Sequence, residues 1–310
     1  MSRPIPASTG FEAQRSNIGK MRNQGIEIEL GADIIKAKEQ GKFNWNLSGN
    51  FTRNRNEVLA LAPGVDEIDL EAAFESIGSY AIVGQPYGVL YASKWVRNAD
   101  GKLIINPSTG LPYVDAKRGK VGNPYPEFTA GIRNTFSWKG LTIGALLDIR
   151  KGGDIWGGTY ARLNSLGRTE ESADRNKVYI VEGVIGTGFD ANGNPTSDGK
   201  ENKKPISANS YFANYKGDGS LSATENAVFD GSWIRLREVS LNYDVPTKLI
   251  GPAFRNLSIF ATGRNLVLVT NYPGVDPETS LTGAGSNIGG FDYFNMPSTK
   301  SYVLGLRVGF

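Results

Sequence analysis

Apolar and polar residues alternate along seven stretches of this 310-residue chain. The last stretch is the clearest. Tyr302, Leu304, Leu306, Val308 and Phe310 share one parity, and Ser301, Gly305, Arg307 and Gly309 share the other, with Val303 as the exception. Side chains of a strand point to alternate faces with a period of two, so each such stretch predicts a strand with one greasy and one polar side. "GIEIELGADII" sets Ile26, Ile28, Leu30, Ala32 and Ile34 against Glu27, Glu29 and Asp33. "FNWNLSGNF" sets Phe43, Trp45, Leu47 and Phe51 against Asn44, Asn46, Ser48 and Asn50. "FTAGIRNTFSW" and "LTIGALLDIR" behave alike, with Ile132 and Ile143 on the apolar side and Arg133 and Asp148 on the polar side. In "SWIRLREVSLNYDV", Val239, Leu241, Tyr243 and Val245 oppose Glu238, Ser240, Asn242 and Asp244. The first half, around Ile234 and Leu236, is out of phase, which predicts a β-bulge. "LSIFATGRN" carries a weaker version of the pattern.

The connections alternate short and long. "KAKEQGK", the Lys139-Gly140 pair and "PTKLIGPAFRN" are turns. Between them lie roughly seventy, eighty and thirty residues. Soluble sandwiches rarely carry loops of that size at every second connection. Outer-membrane barrels do, with short turns inside the cell envelope and long loops outside. A strand of about ten residues tilted about 45° climbs roughly 23 Å, close to the height of an outward apolar band. Aromatic residues near strand ends (Tyr302, Phe310, Phe128, Trp138, Phe43) fit interfacial girdles. The polar parity, including Glu27, Glu29, Asn44, Asn46, Arg133, Asp148, Glu238 and Arg307, is then expected to face a wet lumen.

Composition agrees and removes alternatives. Hydrophobic residues are 39% of the chain, and no apolar run suits a membrane-spanning helix. Glycine is abundant at 39 residues, which favours strands and turns. With no His and no Cys, Ser-His-Asp and Cys-His catalysis and histidine-ligated metal sites are excluded. A net charge of +3, spread out, leaves no nucleic-acid footprint. The opening "MSRPIPASTGFEAQRSN" has no apolar h-region. Seven strands is an odd count for a bacterial barrel, and an open sheet would leave an edge unpaired in lipid. The expectation is therefore an all-β, transmembrane antiparallel β-barrel of which residues 1–310 form a C-terminal part.

At this point the residues resemble a known family. "NIGKMRNQGIEIEL", "FNWNLSGNFTRNRNEVLAL", "VGQPYGVLYASKWV", "GNPYPEFTAGIRNTFSWKGLTIGALLDIRKGGDIW", "GSWIRLREVSLNYDVP", "LSIFATGRNLVLVTNYPGVDPE" and "MPSTKSYVLGLRVGF" occur in the order seen in SusC/RagA-type TonB-dependent outer-membrane transporters. The resemblance runs from Asn17 to Phe310. It implies a barrel of about 22 strands with long extracellular loops, an N-terminal plug, a TonB box, and a SusD-like lipoprotein that hands over an oligosaccharide or peptide. No plug, TonB box or signal peptide is recognisable here, so contact with TonB is expected through an N-terminal region outside the chain. Phe310 resembles the terminal aromatic read by the barrel-assembly machinery. Outer-membrane lipid is the remaining partner. No enzyme activity and no cofactor is expected. Alternatives are a passive porin or adhesin barrel, and a soluble β-rich carbohydrate-binding module that would bury the face of Leu304 and Leu306.

Other motifs have plainer readings. "DANGNPTSDGKE" places Asp190, Asn192, Asn194 and Glu201 at calcium-loop positions, yet Pro195 stands where glycine is needed, so a polar loop tip is expected. "GAGSNIGG" lacks the strand–helix context of a phosphate loop. Asp276 and Glu278 of "VDPETS" flank Pro277 and suggest a turn rather than an acid–base pair. Trp95, Trp156, Tyr160, Tyr211 and Tyr215, with Tyr87, Tyr91 and Phe212, offer aromatic faces that either meet substrate and lid or pack the loops on themselves.

Overall fold

The computed structural model describes residues 2–4, 8, 10, 13–15, 19–39, 41–74, 76–251, 253–282 and 288–310. The seven alternating stretches form one antiparallel sheet: β1 (Lys20–Ile35), β2 (Asn44–Ala60), β3 (Pro126–Trp138), β4 (Leu141–Gly152), β5 (Trp233–Asp244), β6 (Asn256–Thr270) and β7 (Ser301–Gly309). Spatial order equals chain order, β1 at one edge and β7 at the other, so the wall is a simple meander. Neither edge is paired among the described residues.

Register carries the alternation across the whole sheet. Trp45, Phe136, Ile143, Leu241, Ala261 and Leu304 form one row of cross-strand partners. One step along each strand, Asp33, Asn46, Thr135, Gly144, Ser240, Thr262 and Val303 form another. A slip of one residue at any ladder would turn a strand's apolar set toward water. The apolar face is bare: Leu30 is 71% exposed, Leu304 80% and Leu306 66%. Nothing among the described residues covers these three, so the face of Leu304 and Leu306 is not buried as the soluble module would have it. No helix among the described residues is long and apolar enough to cross a membrane.

Local chemistry explains the corners. Lys139 and Gly140 both take positive φ (47° and 85°), the geometry of the two-residue turn that matches strand twist. A Cβ on Gly140 would stand 2.7 Å from the Asp244 carbonyl oxygen, so only glycine fits there. Phe260 points to the polar face and lies over Gly305 of β7, filling the space that glycine leaves. At the short-turn end, Phe136 packs on Phe43 and Trp45, and Phe254 lies 5.6 Å from Phe310. Phe310 therefore stands beside the β5–β6 turn, at the end of the wall where every short connection lies.

Several strands exceed the expected length of about ten residues. β2 has 17 residues, β1 has 16 and β6 has 15. Beyond Phe51 the outward face of β2 carries Arg53, Arg55 and Glu57, so alternation of apolar residues stops while the ladder to β1 continues.

The buried core of the chain lies in the long loops, at the other end of the wall. Strands Glu67–Phe74, Ile77–Ile82, Val89–Ala92 and Gly119–Gly122 make a four-stranded sheet in the first loop. Ile104–Ile105 of that loop pairs in parallel with Val184–Phe189 of the second. Asp154–Gly157 of the second pairs in parallel with Phe291–Asp292 of the third. Ile77, Leu90, Trp156, Ala227 and Phe291 then close one core drawn from all three loops. The loops are thus a folded cap stitched together by backbone.

The wall's two faces predict opposite responses to charge. In the complete outer-membrane protein, Leu306→Arg should destabilise the fold by about 2–4 kcal/mol, the cost of a cation near the middle of a lipid-facing strand. Thr135→Arg, on the polar face of β3, should cost much less. Unfolding in lipid or detergent, followed by tryptophan fluorescence, separates the two.

Candidate functional site

The predicted bulge lies at Arg237. The ladders of β5 to both β4 and β6 skip between Leu236 and Glu238. Ile234 and Leu236 keep the lipid side, and Trp233 and Arg235 the polar side. The extra residue then allows Arg237 and Glu238 to work on the same polar face. Glu238 pairs with Arg264 at 3.0 Å and with Arg133 at 3.6 Å, across the lumen side of the wall.

Arg235 and Arg237 fasten the base of the third loop to this wall. Arg235 Nη2 donates to Asp276 Oδ1 at 2.7 Å, and Nη1 donates to Ser298 Oγ at 2.8 Å. Its Nε stands 2.9 Å from Glu278 Oε2, an ion contact without hydrogen-bond alignment. Arg237 donates to Asp148 Oδ2 (2.8 Å), Glu278 Oε1 (2.7 Å) and Asn265 Oδ1 (3.0 Å). Both guanidinium groups lie over the Trp233 ring, at 5.6 and 5.3 Å from its centre. Asp276 also accepts from the Ser298 hydroxyl and from the Glu278 amide. Because Asp276 leaves β6 and Ser298 leads into β7, one carboxylate ties together both ends of the loop. Burial alone would push the Asp276 carboxyl up. The Ser298 hydrogen bond, the Glu278 amide and Arg235 outweigh it and hold the group below the usual carboxylate range. Asp276 and Glu278 therefore form a turn, as expected, and bind arginines rather than a reacting group.

A second buried contact joins the second and third loops. Asp292 accepts from the Tyr272 hydroxyl at 2.6 Å and from Thr159 Oγ1 at 3.1 Å. Burial and the adjacent Asp292 carboxylate raise the Tyr272 phenol, so it stays a donor at any physiological pH.

The aromatic residues singled out from sequence divide into two groups. Trp95 and Trp156 are 4% and 5% exposed. Trp156 packs between Phe74, Phe291 and Tyr293, inside the loop core, and its ring face is not free for a solute. Tyr160, Tyr211 and Tyr215 are half-exposed. Tyr160 donates to Glu171 at 2.5 Å, and burial with that carboxylate pushes its phenol up to about 12. Tyr211 stacks on Tyr179 at 4.2 Å and contacts Tyr215. Tyr215 borders an open cleft of about 650 Å³ that also exposes Arg97, Lys102, Glu182 and Glu201. Tyr91 belongs to the first-loop sheet, where it meets Tyr80, and Tyr87 lies in the turn just before that strand, its amide donating to Asn56.

The calcium-like stretch is a hairpin. Asp190 accepts from the Asn192 and Asn194 amides, and Pro195–Glu201 pairs with Val184–Phe189. Most of "GAGSNIGG", residues 283–287, lies outside the described residues. Sequence reasoning passed over Arg235 and Arg237 as a site. Their signal was the phase slip itself, which placed two arginines beside a break in alternation.

A meandering wall with one bare apolar face, one polar face and its loops gathered at one end defines a segment of an outer-membrane β-barrel. No family model matches the chain. It is 25% identical to TonB-dependent receptor P3 and 28% identical to TonB-dependent receptor P26, both of Formosa agariphila. It is 23% identical to TonB-dependent receptor SusC of Bacteroides thetaiotaomicron. Each alignment covers 99% of this chain but only 30%, 31% and 28% of those proteins. The chain therefore spans about 30% of the length of the curated relatives it matches. Among solved structures, the RagAB peptide transporter superposes with a TM-score of 0.65 at 20% identity, over 99% of this chain and 31% of that one. The "open-open" state of the RagAB peptide importer gives 0.66 over 100% and 31%. Over almost its whole length the chain is thus similar to TonB-dependent receptors, SusC among them, and it shares the fold of the RagAB transporter.

Arg235 and Asp276 are each almost wholly buried, 2% and 3% by side chain. Asp276→Ala should cost about 3–5 kcal/mol, because it leaves a buried guanidinium short of its partner. Since the folded carboxyl titrates below its unfolded value near 3.8, the tie is fully present above that pH and weakens as pH falls through the depressed value. Protease release of the 271–300 loop as a function of pH measures both effects.

Proposed function

We propose that this chain builds wall and outer loops of a TonB-energised importer of nutrient fragments, an oligosaccharide or a peptide, with a SusD-like lipoprotein over its mouth. On this reading residues 1–310 are a C-terminal part of a barrel of about 22 strands, and the plug and TonB box belong to other parts of the protein. The observation that carries it is the bare apolar face of β1–β7 beneath three interlocked loops. The similarity to TonB-dependent receptors supports it, as does the fold shared with the RagAB transporter. The chain itself does no chemistry. Its polar face lines the passage, and its loop cap meets what arrives from outside.

Half-exposed Tyr160, Tyr211 and Tyr215 are the best-placed rings for that meeting, with Tyr215 beside the charged cleft. Trp95 and Trp156 then act from beneath, by holding the loop core that positions them. Phe310 is assigned to recognition by the barrel-assembly machinery. Its ring is 79% exposed at the short-turn end.

Fractionation tests the membrane part of the reading: the complete protein should be extracted from outer membranes only with detergent, and recovery in plain buffer would end it. Uptake tests the rest. Import of the cognate fragment should require TonB and collapse on its deletion. Tyr211→Ala with Tyr215→Ala should lower uptake several-fold at unchanged surface level, on the scale of about 1–3 kcal/mol for a lost aromatic contact. Removal of Phe310 should instead lower the amount of protein in the membrane.

A further inference from the structure

The outward face of β1 and β2 changes character abruptly. Along β1 it runs Ile34, Ala32, Leu30, Ile28 and Ile26, then turns polar at Gln24 and Arg22. Along β2 it runs Trp45, Leu47, Gly49 and Phe51, then Arg53, Arg55 and Glu57. Register sets the two changes side by side: Ile26 pairs with Arg53, Gln24 with Arg55 and Arg22 with Glu57. Eight residue steps from Ile34 to Ile26, tilted about 45°, climb roughly 19 Å, so the arginines stand where hydrocarbon gives way to headgroups. They lie toward the long-loop end, on the outside of the wall and away from the lumen.

A notch opens beside them. β2 and β3 stay paired only as far as Thr52 and Thr129; β2 then continues with β1 to Ala60, and its other edge is met at Asn56 and Val58 by the 84–87 segment. The gap left by β3 is a cavity of about 440 Å³, lined by Arg22, Gln24, Asn54, Arg55, Asn123 and Tyr125 among others. Glu57 also lines it but is bound to Arg22 at 2.5 Å, and Glu127 is the remaining acid. Arg53 and Arg55 are exposed and make no side-chain hydrogen bond or ion pair with the described residues.

We propose that this notch binds the phosphate of an anionic lipid headgroup in the outer leaflet. Guanidinium groups match phosphate oxygens two at a time and are less strongly hydrated than ammonium groups. Asn123 adds an amide group, and the apolar rows below receive the acyl chains. A substrate or lid reaches the barrel mouth, whereas a molecule at this height outside the wall is a lipid. The inference depends on the orientation of the wall in the membrane and not on what is transported.

The test uses the complete outer-membrane protein, purified in mild detergent and delipidated. It is titrated with phosphatidic acid, with diacylglycerol of the same chains and with inorganic phosphate, and adducts are counted by native mass spectrometry. Phosphatidic acid should bind and diacylglycerol should not. R53Q/R55Q should weaken that binding roughly twenty-five-fold, from about fivefold per arginine near a charged surface. R53K/R55K keeps the charge without the bidentate fork, so it should bind more weakly than the parent and more tightly than R53Q/R55Q, which guards against a folding defect; R133Q on the lumen face should leave binding unchanged. Equal binding by R53Q/R55Q, equal binding of diacylglycerol, or full displacement by equimolar inorganic phosphate would each overturn the proposal.

Discussion

A backbone that crosses hydrocarbon must satisfy its own N–H and C=O groups, because lipid offers no partner and each orphan costs several kcal/mol. That constraint orders this molecule. It forces the spanning strands into an unbroken ladder, β1 to β7, with neighbours in chain order. It also makes register absolute, since a strand that slips would turn Arg133 or Glu238 toward lipid and Leu147 toward water. The two unpaired edges carry the same demand outward. β1 and β7 need further strands, and a wall of seven is stable in lipid only as a portion of a closed barrel.

Freed from supplying a core, the wall leaves that role to its loops. Hydrophobic burial in water is concentrated in the cap, where Trp156, Phe291, Ile77 and Leu90 meet from three separate connections. Short parallel bridges between loops, at Ile104–Val184 and Trp156–Phe291, hold the cap without long strands. Such a cap behaves as a unit. A disturbance in the second loop reaches the first and third through shared packing rather than through the barrel.

The cap in turn needs an anchor that the apolar face cannot supply, and the bulge at Arg237 provides one. An extra residue in β5 lets two arginines and Glu238 share the lumen face within one turn of chain. Asp276, Glu278 and Asp148 neutralise those arginines, so the buried charges are paired. The third loop is therefore fixed at its base by ion pairs and farther along by Ile288 and Phe291 in the shared core.

Period-two alternation determined the strands, their order, the short-turn end with Phe310, the bulge in β5 and the membrane face, because all of these are local consequences of which side each residue must show. It stopped at Phe51, since once a strand leaves hydrocarbon its outward residues are free to be polar, and the second half of β2 became unreadable. The loop cap and the arginine site were invisible for a different reason. Trp156 meets Phe291, and Arg235 meets Asp276, across long separations with no period to announce them. An exposed aromatic and a buried one look alike in a string of letters. Only the folded chain, by burying Trp95 and Trp156 and leaving Tyr215 at a cleft, decided which rings face the outside.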